Sequence, residues 1–568
     1  MTKMSGARFI AETMAGYGVS HIFMVPAVLR RTMMEIEKLS DFSIDVIHAH
    51  GEKSAAYMAD GYARASGRPG VCLAQQTGAM NLAAGLRDGY LANSPIVAIT
   101  GGSREELTHR GLYQEADDIK AFDPYVKFNA VVNDVERFPD LTRQAFRAAT
   151  TGKPGPVHLQ VWGQEGELDR NEGALDVIIE EQHKTVPAFR PHPDPASIGR
   201  LFEILGQAEK PVIQAGGGVR HSQAGEELLR FAEAVGIPIV STMKGRDQVP
   251  DTHPLVVGTA GTYSRRNANY IMSEADLVII VGSSNGSMSS NFWRLPRPGT
   301  KTIQIDIEGS MIGRNYSTDL GIHADARATM TALADAVPAD MAPRFAHWRA
   351  THEAEKATYM EERAASLSSD AVPIRPERIF GELNKLLPDD GLLCVDTGHA
   401  GMWASSMFDI RTSSQDIIHS CGHLGWAFPA GLGAQCALPN RPVITFTGDL
   451  GLWYHIGDIE TAVRKNIPTV TIVNNNRSGN QSARGFMLAY EGNPTKKSKE
   501  LWMQNEVDFA EIARNMGATG IRVTKPSELG PAIDQAVSAR KPAVIDVVTD
   551  IEATAPLAWD SSGWVQKY

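Results

Sequence analysis

The chain has 568 residues, 43% hydrophobic and 21% charged, with 52 glycines, 31 prolines and no low-complexity block, which suits about three or four globular domains and argues against long disordered stretches. A formal net charge of −11 and a pI near 5.8 argue against general binding to nucleic acid or to an anionic membrane. Its four cysteines, Cys72, Cys394, Cys421 and Cys436, have neither metal-finger nor disulfide-scaffold spacing, and no signal core or run of about 18 apolar residues occurs, so a cytoplasmic protein without membrane partners is expected.

Residues 1–18 carry an amphipathic helical pattern, and Val25-Pro26-Ala27-Val28-Leu29-Arg30-Arg31 follows as a loop that combines bulk with positive charge. Val46 to Arg64 reads as a short strand and a helix with Glu52 in its first turn, a place the helix dipole alone favours for an acid. Gly70 to Ala74 and Pro95 to Thr100 are continuous apolar strands separated by helical patterns, which predicts a parallel sheet covered on both faces and a first domain over 1–185. Within it, Gln76 and Gln114 lie in polar loops, Gln75–Asn81 and Gly111–Asp117, the second followed by Lys127. Each amide either offers a hydrogen bond to a ligand or braces its loop.

Thr185 to Pro195 is a Pro-rich linker, and a central domain over 192–345 takes its strands from Pro211 to Ala215, Leu277 to Val281 and Lys301 to Asp306. Its turn Gly216-Gly217-Gly218 either approaches a nucleotide such as ADP or CoA or serves packing. A charged helix from His347 to Ser366 leads into a third domain over 370–550. The tail, 551–568, carries Trp559, Trp564 and Tyr568. Together with Arg484 to Trp502 it could form a lid, and Lys496, Lys497 and Lys499 would suit a CoA phosphate or form a solvated face.

The third domain holds the most informative block. Pro442 to Thr447 is a buried strand, Gly448-Asp449-Leu450-Gly451 follows, Ile456, Ile459, Glu460 and Val463 have helical spacing, and the strand Thr469 to Val473 delivers Asn474-Asn475-Asn476. Gly448 lets the backbone approach a phosphate, and one carboxylate with one amide carbonyl suits Mg²⁺ that shares its ligands with a diphosphate. The alternative is an Asp and Asn cluster capping two strands.

The block resembles, without gaps, the signature of thiamin diphosphate-dependent enzymes, which opens Gly-Asp-Gly and closes on paired Asn; Leu450 replaces the third glycine. The resemblance implies metal ligation by Asp449 and Asn476 side chains and by the main chain at Ser478, with Gly448 and Leu450 beside the cofactor. Val46 to Arg64 resembles the family's glutamate segment. There a buried Glu, here Glu52, promotes the aminopyrimidine tautomer that removes the thiazolium C2 proton. Relatives often carry His where this chain has Gly51, with His50 one place earlier. Cys421 to Pro429 places Leu424 at the apolar wedge beneath the cofactor and the Gly422 carbonyl opposite the aminopyrimidine, and His399 and His423 are candidate proton shuttles.

The resemblance covers almost the whole chain and is nearest to the acetolactate synthase-like branch, which includes carboligases, decarboxylases and 2-hydroxyacyl-CoA lyases. It implies an α/β fold of three doubly wound parallel-sheet domains of the thiamin diphosphate-dependent decarboxylase/synthase type, Gln76 and Gln114 near the reacting carbon, and a homodimer or homotetramer in which Glu52 and Asp449 meet across subunits. Val281 to Met288 lacks the Arg and paired Asp residues of flavin-containing relatives, which argues against FAD. The expected activity is thiamin diphosphate- and Mg²⁺-dependent decarboxylation of a 2-oxo acid with transfer or release of the aldehyde unit. A 2-hydroxyacyl-CoA lyase giving an aldehyde and formyl-CoA is the alternative, and a non-catalytic regulatory relative is a third reading.

Overall fold

The computed structural model of the chain describes residues 2–39 and 44–556; Trp559, Trp564 and Tyr568, the expected lid residues of the tail, lie outside the described residues. Three six-stranded sheets form, every strand pair within them parallel. Strands such as Gly70–Ala74 and Leu277–Val281 are buried along their whole length. Helices cover both faces of such a sheet, so their sequences run apolar without alternation.

The first sheet runs Asp45–His48, His21–Met24, Gly70–Ala74, Ile96–Gly102, Val157–Trp162, Asn129–Val132. The third runs Asp416–His419, Leu392–Val395, Val443–Gly448, Val470–Asn475, Ala543–Val548, Thr519–Val523. Numbered by occurrence, both sheets have the order 2-1-3-4-6-5, while the central sheet has the doubly wound order 3-2-1-4-5-6. The expected α/β class holds, and the first and third domains share one topology. In the central sheet the glycine turn packs backbone to backbone on its neighbour: a Cβ on Gly216 would lie 2.3 Å from the Gly282 carbonyl oxygen, and one on Gly218 2.6 Å from the Gly282 Cα.

First and third domains meet through equivalent helices, Glu52–Ser66 and Ala427–Ala437, each joining the second and third strands of its own sheet. Both are rich in Ala and Gly, and at their crossing a Cβ on Gly61 would lie 1.9 Å from the Ala430 carbonyl oxygen and one on Gly433 1.8 Å from that of Met58. Only glycine allows so close an approach. The helix Ala346–Leu367 ties the central domain to the third, with Arg363 and Tyr359 donating to the Ser406 carbonyl at 3.0 and 2.9 Å. Among the described residues no helix is long and apolar enough to cross a membrane.

Gly433→Ala is expected to lower the unfolding free energy by at least about 2 kcal/mol, because the added methyl meets backbone that cannot move alone. Gly485→Ala, in an exposed helix with nothing within 4 Å of the new Cβ, is expected to leave stability unchanged or raise it by up to about 1 kcal/mol. Urea unfolding of the two variants beside the parent measures both.

Candidate active site

Strands Val443–Gly448 and Val470–Asn475 are neighbours in register, Gly448 opposite Asn474, so Asp449 and the segment Asn476–Ser478 leave the same sheet edge side by side. Asp449 opens the helix Asp449–Trp453 and is 3% exposed. Its Oδ1 accepts from the Leu450 N–H at 2.6 Å and its Oδ2 from the Ser478 N–H at 3.2 Å. Asn476 Oδ1 accepts from that same Ser478 N–H at 3.1 Å, so carboxylate and amide oxygens converge on one point.

Burial pushes the Asp449 carboxyl up to about 6 against the pull of the surrounding N–H groups. A cation there would reverse that cost. The Ser478 hydroxyl is buried without a hydrogen-bond partner, and a Cβ on Gly448 would meet nothing within 4 Å, so the edge has both an unmet polar group and room. No group of three His, Cys, Asp or Glu side chains able to hold a metal occurs among the described residues. One carboxylate and one amide form an incomplete, all-oxygen set, which fits a hard cation that completes its octahedron on a ligand's phosphates.

A residue that sequence reading missed ties this edge together. Asp396, just past the strand Leu392–Val395, accepts from the Gly425 N–H at 3.1 Å, the Thr447 hydroxyl at 2.7 Å and the Thr397 N–H at 2.8 Å. Its signal is an acid between a buried strand and a glycine turn, Val395-Asp396-Thr397-Gly398, the pattern that marks Asp449. Burial raises its carboxyl to about 7 despite those donors.

The loop that Asp396 anchors carries Gly422 and Leu424. Gly422 and Gly425 have φ of +123° and +84°, left-handed values that glycine adopts freely, and Leu424 sits half-buried between them. His423 is fixed by the Tyr57 hydroxyl at Nδ1, 2.6 Å, and by Arg87 Nη1 at Nε2, 3.1 Å. A guanidinium only donates, so Nε2 accepts and Nδ1 carries the proton toward Tyr57. Burial lowers the pKa of His423, and takes that of His399 down to about 4. Both rings are neutral near pH 7.

In the first domain Glu52 is the first residue of its helix, after Gly51. Asn81 Nδ2 donates to Glu52 Oε2 at 3.1 Å, and a Cβ on Gly78 would lie 2.4 Å from Oε1, so glycine at 78 makes room for the carboxylate. Gln76 is 1% exposed; its Nε2 donates to the Ser103 hydroxyl at 2.8 Å and the Ala116 carbonyl at 3.2 Å, and Ser103 donates back to Oε1 at 3.1 Å. This amide braces the following loop. Gln114 stands in that loop with φ of +64°, beside Glu115, which accepts from the Leu112 N–H at 3.0 Å. Lys127 donates to the carbonyls of Thr151 and Lys153 at 2.8 and 2.6 Å, and burial lowers it to about 8.

The sequence-derived residues thus form two groups, Glu52 with Asn81, Gly78 and Gln76, and Asp449 with Asn476, Ser478 and the Gly422 loop. No hydrogen bond or ion pair joins Glu52 to Asp449 among the described residues. Beside the second group, helix Asn480–Ala489 exposes Leu488, and Lys496, Lys497 and Lys499 are exposed.

The chain matches the thiamine pyrophosphate enzyme N-terminal TPP binding domain over residues 4–122, the central domain over 198–333 and the C-terminal TPP binding domain over 396–547. It is 30% identical to a probable acetolactate synthase large subunit of Methanocaldococcus jannaschii, over 98% of this chain and 93% of the relative. A sulfoacetaldehyde acetyltransferase of Alcaligenes xylosoxydans xylosoxydans is 30% identical over 98% and 95%, and a glyoxylate carboligase of Escherichia coli O157:H7 29% over 97% and 94%.

Asp396 binds its proton more tightly folded than unfolded, so its contribution to stability is present in acid and is lost as pH rises toward 7. Between pH 5 and 8 the parent's unfolding free energy is expected to fall by about 2 kcal/mol relative to that of Asp396→Asn. Urea titrations of the cofactor-free proteins at both pH values give this difference.

Proposed function

The chain belongs to the thiamin diphosphate-dependent enzymes of the acetolactate synthase-like family, and from that premise we propose that it uses Mg²⁺ to decarboxylate a 2-oxo acid and transfers or releases the resulting aldehyde unit. The observation that carries this reading is the convergence of Asp449 Oδ2 and Asn476 Oδ1 on one N–H beside the unpartnered Ser478 hydroxyl. Asp449, Asn476 and the main chain at Ser478 would hold Mg²⁺ and with it the diphosphate, and Gly448 admits the phosphates to the backbone. When bound, thiamin diphosphate supplies the electron sink for cleaving a carbon–carbon bond next to a carbonyl.

Glu52 holds or releases a proton at its carboxylate, oriented by Asn81 across the space left at Gly78. By the resemblance, the Gly422 carbonyl would accept from the aminopyrimidine, and Leu424 would supply an apolar support for the cofactor. The family resemblance implies that Glu52 and the Asp449 group meet across subunits, so that a homodimer, alone or paired into a tetramer, would supply the complete site. A 2-oxo acid donor is supported by relatives named acetolactate synthase and glyoxylate carboligase, and an acyl-transferring outcome by one named sulfoacetaldehyde acetyltransferase. The three exposed lysines 496, 497 and 499 favour, as a second reading, a 2-hydroxyacyl-CoA thioester. The close packing of Gly216 and Gly218 on Gly282 speaks against nucleotide phosphates at that turn of the central domain. Relatives along the whole length are named as enzymes, so the regulatory reading is set aside.

Mass spectrometry of products formed from pyruvate, glyoxylate and a 2-hydroxyacyl-CoA, each with thiamin diphosphate and Mg²⁺, tests the proposal. Carbon dioxide and a ligated or transferred product from a 2-oxo acid are expected, reduced about 100-fold or more in Glu52→Gln. Formyl-CoA from the thioester with inert 2-oxo acids would overturn it in favour of the lyase. Asp449→Asn is expected to weaken Mg²⁺-dependent thiamin diphosphate binding by more than about 100-fold in a calorimetric titration.

A further inference from the structure

Two buried carboxylates outside the groups just described cross from one domain to the other. Asp458, 1% exposed in the third domain, accepts from the His50 N–H at 2.9 Å and the Ser54 hydroxyl at 2.5 Å. These two donors flank Gly51 and Glu52. Asp88, fully buried in the first domain, accepts from the Cys421 N–H at 2.9 Å, the Ser420 hydroxyl at 3.1 Å and the His423 N–H at 3.4 Å. Those donors flank Gly422.

The two arrangements are copies of one another. His50 and Cys421 each lie two residues past the end of the second strand of their sheet, at His48 and His419. Asp88 and Asp458 each lie nine residues beyond the first α-helical residue, Ala79 or Asp449, after the third strand of their own sheet. Both domains have the same strand order, so each lends the carboxylate from one structural position to the loop at one structural position of the other. A bond from a backbone N–H to an ionised carboxylate is short and directional, which suits a loop whose task is to aim one group.

We propose that Asp88 and Asp458 are reciprocal positioning residues: Asp458 sets the Glu52 carboxylate and Asp88 sets the Gly422 carbonyl, so that each domain aims the cofactor-contacting group of the other. This rests on the functional reading given above. Replacing either acid by Asn preserves size but presents N–H groups to N–H donors, so the loop must turn away while the helix that carries the substitution stays in place. The effect on the aimed loop therefore falls in the opposite domain, while Asp88→Asn also weakens the ion pair with Arg64 in its own domain.

Hydrogen exchange of the full-length, cofactor-free protein, followed by mass spectrometry, tests the aiming directly. Asp458→Asn is expected to speed amide exchange about 10-fold over residues 48–54 and Asp88→Asn over 420–424, each leaving the other segment at the parent rate. In the loaded protein, Asp458→Asn is expected to slow deuterium exchange at the thiazolium C2 about 10-fold or more with cofactor Kd within about 3-fold, and Asp88→Asn to raise that Kd about 10-fold. Ser54→Ala and Ser420→Ala each remove one contact of the respective acid, carry the same expectations at about 3-fold, and decide the matter if an Asn variant does not fold. Parent rates of amide and C2 exchange in the variants would overturn the proposal. Unchanged C2 exchange in Glu52→Gln would overturn instead the functional reading on which it rests.

Discussion

The site depends on how closely two helices approach. Glu52 opens one and the Gly422 loop leads into the other, so the crossing at Gly61 and Gly433 fixes how the two cofactor-facing arms of one chain are set relative to each other. Polar contacts lock that crossing. Arg64 bonds Asp60 at 2.5 Å, Asp88 at 2.7 Å and the His419 carbonyl at 2.6 Å, lies over the Trp426 ring at 4.4 Å, and Trp426 Nε1 in turn donates to Asp60 at 2.8 Å. Buried charges persist only when paired and fully hydrogen-bonded, and removing one member strands the others. The crossing is therefore specified by both shape and charge.

Burial also inverts the usual order of proton affinities. The Asp449 and Asp396 carboxyls are raised to about 6 and about 7, while His399 and His455 are lowered to about 4 and about 3. Near neutral pH the imidazoles are therefore uncharged, and the nearby groups that exchange protons are carboxylic acids. The tautomer at His455 follows from its surroundings: Ser54 gives its one hydrogen to Asp458, so His455 Nδ1, 2.6 Å from the Ser54 oxygen, is the donor. A dry, low-dielectric setting both disfavours charge and strengthens whatever charge–cation contact is finally made.

Much of this was legible in the sequence, for a physical reason. Strands covered on both faces are continuously apolar, so Gly70–Ala74 and Leu277–Val281 can be read to the residue, whereas Lys301–Asp306 is read from Ile303 and Ile305 alternating with polar residues. Asp449 and Asn476 were legible because one strand–helix–strand unit delivers both. Asp396, Asp88 and Asp458 were not, since an acid's burial depends on partners it meets only after folding: Asp458 finds His50 and Ser54 some four hundred positions away. Gln76 is a nearer case. Its sequence neighbours do not disclose that Ser103 and Ala116 close over its amide. The Gly216 turn admitted two readings until Gly282 was seen to fill the space a side chain would need.

First and third domains share a strand order and touch through like helices, the way two identical subunits do across an isologous interface. Here the two halves are joined by one polypeptide, with the whole central domain lying between Trp162 and Leu392 as the tether. Tethering makes their meeting an intramolecular event at an effective concentration far above that of separate chains. The glycine crossing, the buried ions and the apolar cluster that the two domains share, Met58 and Tyr62 with Phe428 and Leu432 among its members, then come together without the loss of translational freedom that two separate domains would incur.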